Sequence, residues 1–305
     1  MRSLLIIAGP TASGKTALAL ELAERYGGEI VGADSVQVYR GFDIGSAKPT
    51  KEELRGIHHG MIDVIDPDEA MDAMRFAELA DEEIAAIEGR GKRPIVAGGT
   101  GLWIRALLRG LVDLPRPDPS IRGAFEEEIE REGSAALHRR LREIDPLSAE
   151  AIHENDALRI VRALEVHAQT GEALGELRRR HALGEPRYRP VFALLDPSLG
   201  ELTPRIEARL EIMFELGWLE EARALRDRYG DEVRPFGSVG YLELAQHLRG
   251  DLDLDEAKKR IRKSTRIYAR RQKTWFGSER DITLKGDARA IMASTQVRDY
   301  FGYSE

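Results

Sequence analysis

The sequence predicts an α/β fold in which a parallel sheet carries helices on both faces and an all-helical segment is inserted between two of its strands. Three observations predict it. Short apolar runs ending in glycine or aspartate alternate with stretches rich in strong helix formers, the pattern of strands joined by helical crossovers. One crossover is far too long for a single helix and is bounded on both sides by proline-containing breaks. The 305 residues, 42% hydrophobic and 32% charged, are ample for a large core and exclude a disordered chain.

Leu4-Leu5-Ile6-Ile7-Ala8 is the first strand, ending at Gly9, and Ala17-Leu18-Ala19-Leu20-Glu21-Leu22-Ala23 marks the helix after it. Glu29-Ile30-Val31-Gly32-Ala33 reads as a second strand closed by Asp34, and residues 69–90 as a helix. Pro94-Ile95-Val96-Ala97 gives a third strand, ending in Gly98-Gly99-Thr100-Gly101. The next, Val191-Phe192-Ala193-Leu194-Leu195, comes only about ninety residues later and ends at Asp196. Leu114-Pro115-Arg116-Pro117-Asp118-Pro119 opens that gap and Gly184-Glu185-Pro186-Arg187-Tyr188-Arg189-Pro190 closes it. Helical patterns near 120–132, 134–144 and 156–169 fill it. The chain is thereby divided into a core of residues 1–115 and 190–305 and a helical insertion of residues 116–189. Helices from Pro204 to about Arg228 and from Glu256 to about Phe276 follow, with Asp281-Ile282-Thr283-Leu284 as a weak last strand.

Zero cysteines exclude disulfides, thiol catalysis and cysteine zinc sites and fit a reducing compartment. No apolar run approaches the ~18 residues of a membrane span, and the first apolar stretch runs directly into a glycine loop, so a cytoplasmic location is expected. The net charge of −7 argues at first sight against a nucleic-acid partner. Its distribution reverses that. The sixteen residues Lys258 to Lys273 carry nine basic side chains and no acid, leaving 37 basic against 53 acidic residues elsewhere, a balance of −16. In a helix, Ile261, Thr265, Tyr268, Gln272 and Trp275 form a buried stripe, and Arg262, Arg266, Arg270 and Lys273 a basic one beside it.

Gly9-Pro10-Thr11-Ala12-Ser13-Gly14-Lys15-Thr16 matches G-x-x-x-x-G-K-[ST] in full and lies between a strand and a helix. The glycines let backbone N–H groups turn inward around phosphate oxygens, Lys15 adds a point charge, and the Thr16 hydroxyl is placed to ligate magnesium. NTP hydrolases place an aspartate at the end of another strand to hold the magnesium shell, and the third strand here has none. Asp34 instead closes the second strand, where a carboxylate can take a proton from an attacking nucleophile. A helix cap or turn former is the structural alternative for it.

The loop, followed by Asp34-Ser35-Val36-Gln37-Val38-Tyr39-Arg40-Gly41-Phe42-Asp43-Ile44-Gly45-Ser46-Ala47-Lys48-Pro49, resembles the tRNA dimethylallyltransferase family. Gly98-Gly99-Thr100-Gly101, Asp156-Ala157-Leu158-Arg159-Ile160-Val161-Arg162, Val239-Gly240-Tyr241 and the segment Thr265 to Phe276 extend the resemblance over nearly the whole chain. It implies a P-loop kinase-like core and transfer of the dimethylallyl group from its diphosphate to the exocyclic amine of the adenine 3′-adjacent to a tRNA anticodon. It also implies a helical insertion that grips the anticodon stem-loop, and Mg2+ as cofactor. A monomer is expected.

By the same resemblance, Asp34 is the general base and Thr11 binds or positions the diphosphate. Arg209, favoured over Arg205 one turn away, is the arginine on the pyrophosphate; pairing with Glu201 or Glu207 is the bland alternative. Diphosphate binding falls to Gly9, Pro10, Thr11, Ala12, Ser13, Gly14, Lys15, Thr16 and Arg209. The tRNA is expected at Asp34, Ser35, Val36, Gln37, Thr100, Arg122, Leu158, Arg159, Ile160, Val161, Arg162, Val239, Gly240 and Tyr241, with Arg266 and Arg270 from the basic stripe. Leu242 stands where the family commonly has a basic residue, which weakens the case for a phosphate contact there. A P-loop small-molecule kinase, a prenyltransferase acting on free adenine nucleotides and a non-catalytic nucleotide-binding scaffold are the competing readings. The kinase reading leaves the basic helix and the insertion without a use.

Overall fold

The computed structural model describes residues 2–182 and 186–303. The chain forms two compact units, one of Met1–Gly110 with Arg187–Glu305 and one of Leu111–Pro186. Gly184 and Glu185, in the expected closing boundary of the insertion, lie outside the described residues.

The larger unit is built on a six-stranded parallel sheet. Its strands are β1 (Ser3–Ala8), β2 (Gly28–Ala33), β3 (His59–Gly60), β4 (Arg93–Gly98), β5 (Arg189–Leu195) and β6 (Leu284–Gly286), in the order β3-β2-β4-β1-β5-β6. Helices cover both faces, so the inner strands carry continuous apolar runs such as residues 4–8 of β1 and 192–195 of β5. On one face Leu5, Ile7, Ile30, Ile95 and Leu195 pack with Leu18 and Leu22 of α1 (Lys15–Tyr26). On the other, the Phe192 ring meets Phe276 edge-on, at 6.3 Å between centroids. The expected α/β class is thus borne out.

Local chemistry explains the departures from the sequence reading. The helix expected over 69–90 is α2 (Ala73–Gly89), started by the Asp72 side chain, which accepts from the N–H groups of Met74 and Arg75. β3, unread in the sequence, is only two residues long, too short for a period to show. β6 begins where Asp281–Leu284 was expected to end; Thr283 already bonds to Phe192. α3 (Gly101–Arg109) follows β4. The helix expected from Pro204 starts earlier, as α9 (Leu199–Glu215), because Ser198 and Glu201 form a capping box and Pro204 is accommodated inside. It then breaks before α10 (Trp218–Tyr229), at Gly217 in left-handed backbone. α11 (Tyr241–Arg249) precedes α12 (Leu254–Gly277). α12 is fully buried along Ala257, Ile261, Thr265, Ala269, Gln272 and Phe276, so Tyr268 and Trp275 sit half-buried at the margin of the stripe.

The smaller unit is helical. α4 (Pro119–Glu132), α5 (Ser134–Ile144), α6 (Pro146–Ala151), α7 (Ala157–Thr170) and α8 (Leu174–Ala182) enclose Leu137, Leu141, Ile160, Val161, Leu164 and Leu174. α6 and α8 were unread in the sequence: six and nine residues hold too little of a 3.6-residue period.

Candidate active site

Strand register assembles the site. Ala8 of β1 and Ala33 of β2 both pair with Gly98 of β4, so three strands end at one level. The next residues are Gly9, Asp34 and Gly99. The phosphate loop, Asp34 and the Gly99-Thr100 turn therefore leave the sheet side by side at its carboxyl edge, where open α/β sheets bind ligands.

The phosphate loop turns into the first turn of α1, whose N-terminal N–H groups favour anions. Arg209 reaches it from α9, donating from Nη2 to Thr11 Oγ1 at 2.5 Å. Arg205 is exposed and makes no such contact. The buried Ser13 Oγ and Arg209 Nε have no hydrogen-bond partner among the described residues, leaving a hydroxyl and an N–H beside the loop with hydrogen-bonding capacity to spare. Burial pushes the Lys15 ammonium down to about 8, with the Asp34 carboxylate raising it and the Arg209 guanidinium lowering it further. Burial also lowers Arg209, against the pull of Asp34. Two desolvated cations, Lys15 at the start of α1 and Arg209 from α9, make an environment suited to a polyanion.

Asp34 Oδ1 accepts from the N–H groups of Val36 and Gln37 at 2.9 and 3.4 Å. It is thus a turn former as well as a carboxylate in the site, and no donor among the described residues engages Oδ2. Ser35 donates its N–H to Thr100 Oγ1 at 3.1 Å, and Gln37 Nε2 donates to the carbonyls of Ser46 and Ala47. Asp34, Ser35, Val36, Ser46 and Ala47 border a cavity of about 280 Å³, while Gln37 and Thr100 support these residues from outside its lining. Thr11, Asp34 and Arg209 form a polar wall, and Leu210, Met213, Trp218 and Val239 an apolar one. Tyr268 joins them from α12, its phenol pushed up by burial and by Asp34 and therefore neutral. A polyanionic head with a small apolar tail matches both walls.

The structure separates the remaining candidates. Leu158 is 69% exposed and Arg159 exposed, its guanidinium 3.4 Å from Asp156. Ile160 and Val161, expected at the tRNA, instead pack in the core of the helical unit, because the apolar face of α7 turns them inward. Arg122 and Arg162, also expected there, close on the fully buried Glu165 carboxylate at 3.6 and 2.9 Å. Glu165 also accepts from Asp118 N–H at 2.6 Å, and Arg162 donates to the Pro115 carbonyl. Both arginines neutralise a buried charge.

Tyr241 is fully buried, so its side chain is not presented to RNA as expected. Gly240 is the N-cap of α11, while Val239 lines the cavity. Arg266 and Arg270 are exposed on α12, with Arg266 3.6 Å from Glu207. Lys273 of the basic stripe turns to Asp196 at the end of β5.

Two positioning groups escaped the sequence reading. Gln272 bonds to both Thr11 and Gly99. Glu221 accepts from the N–H groups of Asp43, Ile44 and Gly45 and from the Tyr241 hydroxyl, holding one rim of the cavity. Neither has a local sequence signal, since each acts on backbone far away in the chain.

The family model described as IPP transferase matches residues 37–279. The chain is 53% identical over 279 residues to the tRNA dimethylallyltransferase of Anaeromyxobacter dehalogenans, spanning 92% of this chain and 93% of that one. The full-length tRNA isopentenylpyrophosphate transferase from Bacillus halodurans superposes with a TM-score of 0.72 at 35% identity, covering 99% of this chain and 97% of that one. A eukaryotic dimethylallyltransferase acting on tRNA superposes with a TM-score of 0.74 at 28% identity, over 90% of this chain and 70% of that one.

Proposed function

The chain belongs to the IPP transferase family, and we propose that it transfers the dimethylallyl group from dimethylallyl diphosphate to the exocyclic amine of the adenine 3′-adjacent to the anticodon in tRNA. The observation that carries this reading is the cavity in which Asp34, the Thr11–Arg209 pair and an apolar wall meet. A phosphoryl-transfer site would leave Leu210, Met213, Trp218 and Val239 without a use.

In the reaction, the amine nitrogen forms a bond to the allylic C1 as the C1–O bond breaks, and that bond's electron pair leaves with the diphosphate. Lys15, Arg209 and the loop N–H groups stabilise the growing negative charge. Asp34 takes the amine proton as the new bond forms, since an adenine amine is too weak an acid to lose it earlier. The apolar wall holds the dimethylallyl tail and excludes water from the allylic carbon.

Thr16 is the residue that would hold magnesium. Its hydroxyl is the kind of hard oxygen donor that magnesium takes, and among the described residues no group of three or more His, Cys, Asp or Glu side chains could hold a metal ion. When bound, such an ion neutralises diphosphate charge.

The helical unit, with Arg159 and Leu158 exposed on α7, is assigned to the anticodon stem-loop, and Arg266 and Arg270 of α12 to RNA phosphates. The adenine leaves its stack to reach Asp34. Among the described residues no helix is long and apolar enough to cross a membrane. The protein is assigned to the cytoplasm as a monomer.

Incubation with labelled dimethylallyl diphosphate, magnesium and unmodified tRNA should carry label into the RNA, with free AMP as the control acceptor. Label in AMP alone, or ATP-dependent phosphorylation of a small molecule with no labelled tRNA, would overturn the assignment.

A further inference from the structure

Gln272 joins the two loops that carry the reacting groups. Its side chain is buried, with 6% of its surface exposed. Oε1 accepts from the Thr11 N–H at 2.8 Å, and Nε2 donates to the Gly99 carbonyl at 2.9 Å. Both ends of one planar amide are therefore engaged, each by backbone of a different loop.

The contacts continue in two directions. Thr11 passes through its hydroxyl to Arg209 on the phosphate side. Gly99 leads to Thr100, whose Oγ1 holds the Ser35 N–H next to Asp34 on the proton-accepting side. Backbone N–H groups of a glycine-rich phosphate loop ordinarily face the anion. That of Thr11 faces Gln272 instead, which leaves the hydroxyl as the group Thr11 offers to the site. The arrangement also explains Gly99, where a Cβ would lie 2.3 Å from Gln272 Nε2.

We propose that Gln272 is a positioning residue that fixes the separation between the phosphate loop and Asp34, so that leaving group and proton acceptor are registered on one side chain. The proposal rests on the function assigned above. Glutamine suits the task because it offers a donor and an acceptor without a charge. An ionised carboxylate lacks the donor, and methionine has the length with neither strong group.

The test compares the full-length protein with Gln272→Met and, separately, with Gly99→Ala, which keeps the glutamine and fills its seat. In each, kcat for dimethylallyl transfer is expected to fall about 10- to 100-fold, the cost of misplacing reacting groups by roughly 1 Å. KM for tRNA stays within about twofold, because the lost interaction matters at the transition state. Adding Thr11→Val to Gln272→Met costs less than the product of the two separate losses. Calorimetric titration with magnesium pyrophosphate reads the linkage without turnover, and Gln272→Met is expected to bind about tenfold more weakly.

A wild-type protein that binds pyrophosphate but labels no tRNA would sink the functional assignment alone; weaker pyrophosphate binding by Gln272→Met would then still support the linkage. Unchanged kcat and pyrophosphate affinity, or fully multiplicative losses with Thr11→Val, overturn it. Loss of the folded state in both single variants overturns it too, in favour of a purely structural role.

Discussion

Arg209 and Thr11, 198 positions apart in sequence, meet at 2.5 Å through guanidinium and hydroxyl. The contact places a cation from α9 on the phosphate loop, whereas Arg205, one turn earlier, is exposed. Arg209→Ala should lower kcat/KM for dimethylallyl diphosphate about a hundredfold, the scale of one lost charge-stabilising donor. Arg205→Ala should change it less than about twofold. Steady-state kinetics on both variants decides; equal losses would remove the distinction between them.

Asp34 lies in the cavity with one carboxylate oxygen held by its own turn. Asp34→Asn preserves an acceptor for that turn and removes the base. Turnover should fall about 10²- to 10⁴-fold while tRNA affinity is retained. A filter-binding measurement beside single-turnover kinetics checks both halves. Unchanged kcat would take Asp34 out of the mechanism.

Lys15 gives the reaction a pH dependence. Its ammonium is lowered from 10.5 to about 8, mainly by burial. In the free enzyme the charge is lost as pH rises through about 8, so kcat/KM for the diphosphate substrate should then fall by about tenfold per unit. Bound diphosphate favours the charged form, so kcat should break at higher pH. For stability the sign is opposite: the unfolded chain keeps this proton up to about 10.5, so this group makes folding more favourable as pH rises between the two values. A kcat/KM profile flat to pH well above 8 would contradict the assignment of Lys15.

Arg159 and Arg162 share α7 but should respond differently. Arg159 is exposed, so Arg159→Ala should leave the thermal midpoint unchanged and reduce the salt slope of tRNA binding by about one. Arg162→Ala removes a partner of the buried Glu165 and should cost the helical unit about 3 kcal/mol. Thermal unfolding and salt-dependent binding of both variants test this, and a destabilised Arg159→Ala would contradict it.

The parts of the fold and site most legible in the sequence were those written locally. The phosphate loop occupies eight consecutive residues, and Asp34 ends a strand whose apolar run is plain. Ile160 and Val161 show the limit of carrying roles over by resemblance: with Leu164 they already lie at the spacing of a buried helical face, and that periodicity is what the structure obeys. Gln272 lies on the inward stripe that the spacing of α12 predicts, but nothing in that pattern tells which backbone its amide meets. Glu221 is illegible because three of its partners, the N–H groups of residues 43–45, carry no side-chain signature, and Tyr241 lies 20 positions away.

The pairing of β1 with both β4 and β5 governs how the protein comes into being. The phosphate loop follows β1 and is translated well before one of β1's neighbours, β5, which lies about 180 residues further on. The contact from Thr11 to Gln272 spans 261 positions. Because chains emerge amino terminus first and distant pairings close slowly, the cavity beside Thr11 stays unfinished until α12 has left the ribosome. A nascent chain truncated before α12 would present the complete loop sequence with the loop's buried support missing.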